Sequence, residues 1–308
     1  MSDYLSIPTR YNVQATDLEI GSLAYGCWRF AGSSVEQAST KINTALGSGL
    51  NLIDTADIYT DNWPEGFGNS EKLLGDVFKA TPALRHQIIL ATKGGIIPGL
   101  PYNSSASYLI EACEASLKRL NTDVIDIYQI HRPDLTTSLA ETAEALTKLK
   151  DAGKIRYAGV SNYTYSQYQA LQTHLPFSLI SHQPEFSCIE TSPLTDGILD
   201  QCQEHDLLAI AWSPLAGGAL VAGQIDNHRH QTKLNRLLPV LDRLAENNAT
   251  TRTAVALAFI LAHPAKTIPI IGTQTPERIK ESTQAFDVKL TRRDWYDILE
   301  ASIGEQMP

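Results

Sequence analysis

The sequence predicts a closed parallel (β/α)8 barrel, and three observations predict it. Short apolar runs alternate with helical patterns, giving eight strands along the chain. These units span 250 residues from Leu23 to Gly272, close to the roughly 250 typical of such a barrel. Most of the runs end abruptly on a polar or aromatic side chain, as the functional rim of a barrel requires. An open doubly wound sheet would usually carry Gly-x-Gly-x-x-Gly after its first strand. Gly26-Cys27-Trp28-Arg29 does not fit that pattern. No shift in composition marks a second domain, so residues 1–308 read as one.

The elements follow in order. Residues 4–8 and 13–20 read as an N-terminal β-hairpin. Residues 23–26 form the first barrel strand, and 34–46 a helix capped by Ser33 or Ser34. Strand 50–53 runs into Asp54, followed by a helix over 70–78. Strand 87–92 ends at Lys93-Gly94-Gly95. In the helix over 105–120, Leu109, Ala112, Cys113, Ser116, Leu117 and Leu120 recur on one buried stripe. Strand 124–130 ends at His131, and strand 155–160 at Ser161-Asn162, with a helix over 138–150 between them. A helix over 165–173 leads to strand 177–181, which ends at His182-Gln183. A helix over 194–204 leads to strand 207–211, which ends at Trp212-Ser213. Gly217-Gly218 breaks the rhythm before helices 234–246 and 252–262. Strand 267–271 ends at Gly272-Thr273, and extra helices from Pro276 and over 292–303 finish the chain, the latter with Thr291 and Asp294 suited to its start.

Composition excludes several classes. The chain is 43% hydrophobic and 19% charged, with net charge −9. That is a globular balance, and it argues against nucleic acid or an anionic membrane as partner. Cys27, Cys113, Cys188 and Cys202 form no Cys-x-x-Cys pair and read as reduced thiols. No stretch resembles a signal peptide or a membrane span, so a soluble cytoplasmic protein is expected. The histidines show no metal-ligand spacing, and no catalytic metal is expected. Nothing in the sequence fixes an oligomeric state.

A barrel brings the strand ends to one rim, where Asp54, Lys93 and His131 meet, with Tyr59 five residues beyond Asp54. Each has a plainer reading alone: a strand-closing acid, a loop lysine, a turn histidine, a packed aromatic. Together they make a proton-delivery set. A free phenol titrates near 10 and is a poor acid, but a nearby ammonium lowers that value. Lys93 would supply the ammonium, Asp54 would hold it protonated, and His131 would bond a substrate oxygen beside Tyr59.

Asp54-Thr55-Ala56-Asp57-Ile58-Tyr59, the strand ending in Lys93, Asp126-Ile127-Tyr128-Gln129-Ile130-His131 and Gly159-Val160-Ser161-Asn162 together resemble the aldo-keto reductase superfamily. Within it, His131-Arg132-Pro133-Asp134 and residues 177–186 look most like a bacterial branch of predicted oxidoreductases. The resemblance implies NADPH-dependent reduction of an aldehyde or ketone, with Tyr59 as proton donor and Asp54, Lys93 and His131 as its catalytic companions. It implies that Ser161, Asn162 and Gln183 hold the nicotinamide carboxamide, and that Trp212 stacks on the ring. Ser213, Leu215, Gly217 and Gly218 would lie along the pyrophosphate; Gly272, Thr273 and Arg278 fall in the segment that meets the adenosine phosphate. Gly272 stands where many relatives carry lysine, and Ser282 where many carry asparagine, so NAD is a possible alternative to NADP. His182 replaces a common asparagine. Trp28, and the loop 60–69 with Trp63, Pro64 and Phe67, would wall the substrate site. The alternative function is a nucleotide-binding redox sensor or regulatory subunit with little turnover. A third, a barrel aldolase or isomerase with Lys93 as Schiff-base nucleophile, is opposed by Asp54, which keeps the lysine protonated.

Overall fold

The computed structural model describes residues 4–13, 16–30, 32–60, 66–224 and 230–308. Eight parallel strands close into a barrel: β3 (Ala24–Gly26), β4 (Leu52–Asp54), β5 (Ile89–Gly94), β6 (Ile125–Ile130), β7 (Ile155–Ser161), β8 (Ser181–Gln183), β9 (Leu208–Ala211) and β10 (Thr267–Ile271). An antiparallel pair, β1 (Arg10–Asn12) and β2 (Glu19–Gly21), precedes them. Helices α1 (Val35–Gly47), α2 (Asn69–Ala80), α3 (Ala106–Arg119), α4 (Leu139–Asp151), α5 (Tyr165–Gln172) and α6 (Ile198–Glu204) follow the first six barrel strands in turn. After β9 come the short α7 (Ala219–Ala222), then α8 (Gln231–Asn247) and α9 (Arg252–Leu261); after β10 come α10 (Pro276–Glu281) and α11 (Arg292–Ile303).

The helices form where local chemistry starts them. Ser34 Oγ accepts from the Gln37 amide at 3.2 Å while Gln37 Oε1 accepts from the Ser34 amide at 2.9 Å, a capping box at α1. Thr291 and Asp294 make the same reciprocal pair at α11. The expected stripe of α3 is buried from Leu109 to Leu120.

Two expected strands differ. The hairpin pairs Tyr11 with Ile20, a later register than 4–8 with 13–20; Tyr4 instead bridges to Thr291 at the start of α11. Before β8, Gln172 of α5 bonds the Phe177 carbonyl and the Leu179 amide at 2.8 and 2.9 Å. A side chain thus takes the backbone groups that a ladder would need, and pairing begins only at Ser181. The helix expected from 194 starts at Ile198, because Gly197 is left-handed at φ 88°.

Side chains alternate across each strand, so every second residue enters the barrel. Ala24, Leu52, Ile89, Ala91, Ile127, Leu208, Ile210, Ile268 and Ile270 share one buried apolar cluster with Tyr11, Val13, Leu18 and Ile20 from the hairpin segment. The hairpin therefore packs on the barrel's apolar interior layer. Continuing the same alternation toward the strand ends reaches Asp54, Lys93, Gln129, Ser161 and Gln183, all buried. The interior is apolar below and polar at the C-terminal rim.

Candidate active site

Lys93 lies within β5 and is fully buried. Its Nζ donates to Asp54 Oδ1 and Oδ2 at 2.8 and 2.7 Å, to the Thr55 carbonyl at 2.9 Å and to Tyr59 Oη at 3.0 Å. An ammonium has three protons for these four acceptors, so its position is fixed from every side. Burial alone would lower the Lys93 pKa, but Asp54 and Tyr59 together raise it. Behind the strand, Glu71 of α2 accepts from Thr92 at 2.6 Å and from Arg119 of α3 at 2.7 Å. That buried carboxylate ties β5 to two helices beside Lys93.

Tyr59 behaves differently from the sequence expectation. Burial pushes its phenol up to about 12; Lys93 lowers it, as expected, but Asp54 raises it again. The lysine moderates the shift without reversing it. His131 meets Tyr59 edge-on, with ring centroids 5.8 Å apart at 76°. Burial, then Lys93 and Arg132, hold His131 well below its ordinary pKa. The ring is therefore neutral at pH 7 and carries one N–H, and Nδ1 is buried without a hydrogen-bond partner.

A second network joins the remaining strand ends. Trp212 Nε1 donates to Asn162 Oδ1 at 3.0 Å. Asn162 Nδ2 donates to the His131 carbonyl at 3.1 Å and to Ser161 Oγ at 2.8 Å; Ser161 Oγ donates to the Gln183 carbonyl at 2.9 Å. Gln183 Nε2 reaches Asp54 Oδ1 and Gln129 Oε1, each at 3.0 Å, and Gln129 Nε2 reaches Ser181 Oγ at 3.0 Å. One set of contacts thus links Tyr59, Lys93, Asp54, Gln183, Ser161, Asn162 and Trp212.

The loop after β9 is turned tightly. Ser213, Ala216, Gly217 and Gly218 have positive φ, from 50° to 107°. Leu215 accepts from the Gly218 amide at 2.9 Å and packs on the core. Such turned backbone gathers N–H groups into anion-binding concavities, and a Cβ built on Gly217 or Gly218 would meet nothing within 4 Å. Across the rim, Thr273 accepts at its carbonyl from Tyr25 Oη at 3.1 Å, and Arg278 is exposed near the start of α10. Trp28 is 56% exposed and stacks with Arg29; among the described residues it makes no hydrogen bond or ring pair with Tyr59 or His131. Of the loop expected as a second wall, Trp63 and Pro64 lie outside the described residues; Phe67 packs under Arg119.

Gln129, Ser181 and Arg29 were not singled out from the sequence. For Gln129 a signal existed: it is polar and shares its inward parity with Ile127 of the apolar layer. His182 faces outward, its Nδ1 and Nε2 each 3.0 Å from Gln201 Oε1 and the Tyr163 carbonyl, and it stacks on Tyr168. Burial holds it down to about 4, so it packs beneath the site rather than in it. Among the described residues, no group of three or more His, Cys, Asp or Glu could hold a metal ion, and no helix is long and apolar enough to cross a membrane.

Comparison with known proteins agrees with this fold. The profile described as the Aldo/keto reductase family matches residues 22–303. A 6-dehydroglucose reductase of Novosphingobium aromaticivorans is 41% identical over 310 residues, covering 100% of both chains. A 6-dehydroglucose reductase of Agrobacterium fabrum is 33% identical over 302 residues, covering 94% of this chain and 97% of that one. A thermostable aldo-keto reductase crystallised with the inhibitor epalrestat superimposes with a TM-score of 0.79 at 26% identity, over 95% of this chain and 99% of that chain.

Proposed function

The chain belongs to the aldo/keto reductase family, and from that premise we propose that it reduces an aldehyde to an alcohol with NADPH, Tyr59 delivering the proton. As a family member it is an NAD(P)H-dependent oxidoreductase acting on carbonyl compounds. The finer reading rests on one observation: a buried ammonium bonded at once to a carboxylate and to a phenol.

The residues present fit a nicotinamide dinucleotide. Ser213, Ala216, Gly217 and Gly218 are left-handed, and the two glycines open on free space, which suits a pyrophosphate. Ser161, Asn162 and Gln183 carry paired donors and acceptors of the kind a carboxamide matches, beside the flat face of Trp212. Arg278, with Thr273 beside Gly272, faces the adenosine phosphate in this reading; NADH remains the second cofactor, because Gly272 brings no charge. When bound, the dinucleotide supplies the hydride.

The chain's own groups handle the proton. Tyr59 stays protonated at neutral pH, since burial raises its pKa. An alkoxide is a stronger base than a phenolate, so transfer from Tyr59 to the forming alkoxide runs downhill. Lys93 then stabilises the phenolate at 3.0 Å, and Asp54 keeps Lys93 charged throughout. His131, neutral, bonds the same substrate oxygen and orients it beside the phenol.

The named relatives suggest the substrate: we propose 6-dehydroglucose, an aldehyde on a sugar, as the first to test. The experiment follows nicotinamide absorbance with NADPH or NADH, 6-dehydroglucose and a panel of simple aldehydes and ketones. Turnover with 6-dehydroglucose supports the full reading. Turnover with other carbonyls alone removes the sugar. Binding without any turnover would favour a sensor instead.

A further inference from the structure

Thr60 directly follows Tyr59 and is buried. Its φ is 76°, in the left-handed region. Glycine enters that region freely, but two heavy atoms on Cβ make it an outlier for threonine. Among the described residues Thr60 is the only β-branched residue with a positive φ. The strain therefore stands one peptide away from the phenol-bearing residue. Such strain persists only where the surrounding contacts over-determine it.

The contacts that do so converge on the Thr60 hydroxyl. Its Oγ1 reaches the Gly66 carbonyl at 3.0 Å and also the Tyr59 carbonyl. A hydroxyl has a single proton to donate, so the group is held between two acceptors. The Gly66 carbonyl also accepts from the Asn69 amide at 3.3 Å, at the start of α2. Earlier in the same turn the Asp57 amide donates to the Lys93 carbonyl at 3.2 Å, and the Asp57 carbonyl accepts from the Gly68 amide at 2.8 Å. Tyr59 is held less firmly than this frame. Among the described residues its main chain has one further hydrogen bond, from its amide to the Ala56 carbonyl at 3.3 Å. Its phenol oxygen lies at the far end of the side chain, where a small main-chain rotation is magnified. That oxygen stands 3.0 Å from Lys93 Nζ.

Resting on the reading of Tyr59 as proton donor, we infer that Thr60 is a positioning residue for the reaction. Its hydroxyl, held between the Tyr59 and Gly66 carbonyls, keeps the left-handed turn in the shape that presents the Tyr59 phenol to Lys93. Glycine would make the same turn without strain, but it would leave both carbonyls without this donor.

The test compares Thr60→Gly and Thr60→Ser with wild type and with Tyr59→Phe. Turnover is followed on 6-dehydroglucose or on any simple aldehyde that the wild type reduces; NADPH affinity is read by nucleotide fluorescence, and stability by the urea midpoint. Thr60→Gly should keep a midpoint near wild type, because relief of the left-handed strain offsets the lost hydroxyl and methyl. Its kcat should nevertheless fall roughly ten- to hundredfold, the effect of a misplaced reacting group, with KM and NADPH affinity nearly unchanged. Thr60→Ser keeps the hydroxyl and should retain most of the kcat. Near-native kcat in Thr60→Gly overturns the inference, as does a Thr60→Ser loss as large as that of Thr60→Gly, or a loss confined to variants whose urea midpoint collapses. When Tyr59→Phe is inactive and Thr60→Gly is not, only this inference falls. Near-native Tyr59→Phe, or a wild type that reduces no carbonyl compound, removes the proton-donor reading and this one with it.

Discussion

Lys93 Nζ lies 3.0 Å from Tyr59 Oη while holding both oxygens of Asp54 at 2.7 and 2.8 Å. Among the described residues a single ammonium bridges the carboxylate and the phenol, and the two can be tested separately.

Tyr59→Phe removes the proton without disturbing the ring's packing. Turnover should fall about a hundred- to ten-thousandfold, the usual worth of a positioned acid, while nucleotide affinity measured by titration stays near wild type. The pH profile follows from burial, which pushes the phenol up to about 12. A reduction needs the protonated form, which persists below that value. The kcat/KM for carbonyl reduction should therefore be flat across neutral pH and fall only in strongly alkaline solution. Near-native turnover of Tyr59→Phe would remove the acid from Tyr59.

Asp54→Asn leaves Lys93 buried without a counter-ion. Breaking a buried pair this way costs about 3–5 kcal/mol, read as a lower urea midpoint. The pH dependence should also change sign. In the wild type, Asp54 helps raise Lys93, so this contribution is complete below the unfolded lysine pKa and is lost as pH rises through the folded one. Without Asp54, burial dominates and lowers Lys93, so the variant should gain stability as pH rises. Adding Lys93→Met to Asp54→Asn should cost less than the two single losses combined. Strict additivity would show that the pair is not coupled.

The sequence exposed the part of this site that sits at strand ends. Asp54, Lys93 and His131 are legible because a barrel converts sequence register into a common rim. Gln129 and Ser181 are less legible, because their bond depends on cross-strand register, which pairs Gln129 with Gly159 and Gly159 with Ser181. No local pattern encodes that alignment. The late start of β8 depends on a side chain of the preceding helix, Gln172, in the same non-local way. The sign of the Tyr59 shift was not legible either. It is a competition between burial and an ammonium, and depth of burial appears only after folding.

Asp57 is a deeply buried carboxyl group. Among the described residues neither of its oxygens has a hydrogen-bond partner of good geometry, and Arg119, the Ile58 amide and Lys93 offset the cost of its burial only in part. Burial first, then Glu71, raises its pKa well above the ordinary carboxylate value. The folded chain therefore binds this proton more tightly than the unfolded chain. Its contribution is complete below the unfolded pKa and is lost as pH rises through the folded one. Asp57→Asn, neutral and nearly the same shape, should remove that loss. The variant should be more stable than wild type by about 1–3 kcal/mol at pH 8, with the gap closing as pH falls toward 4. Parallel urea midpoints across that range would contradict it.

Gly159→Ala tests the network from its most crowded point. A Cβ there would stand 2.0 Å from Ser181 Oγ and 2.9 Å from the Ser181 carbonyl. The hydroxyl must move, and with it goes the acceptor of Gln129 Nε2 at 3.0 Å. Gln129 in turn accepts from Gln183, which donates to Asp54. Overpacking of this kind costs about 1–3 kcal/mol, seen as a lower urea midpoint. Ser181→Ala separates crowding from hydrogen bonding. Alone it removes an acceptor and should weaken the chain; combined with Gly159→Ala it removes the closest clash and should recover part of the loss. If the double variant is no better than the sum of the two, the crowding lies with the Ser181 backbone, and the hydroxyl is not what glycine at 159 protects.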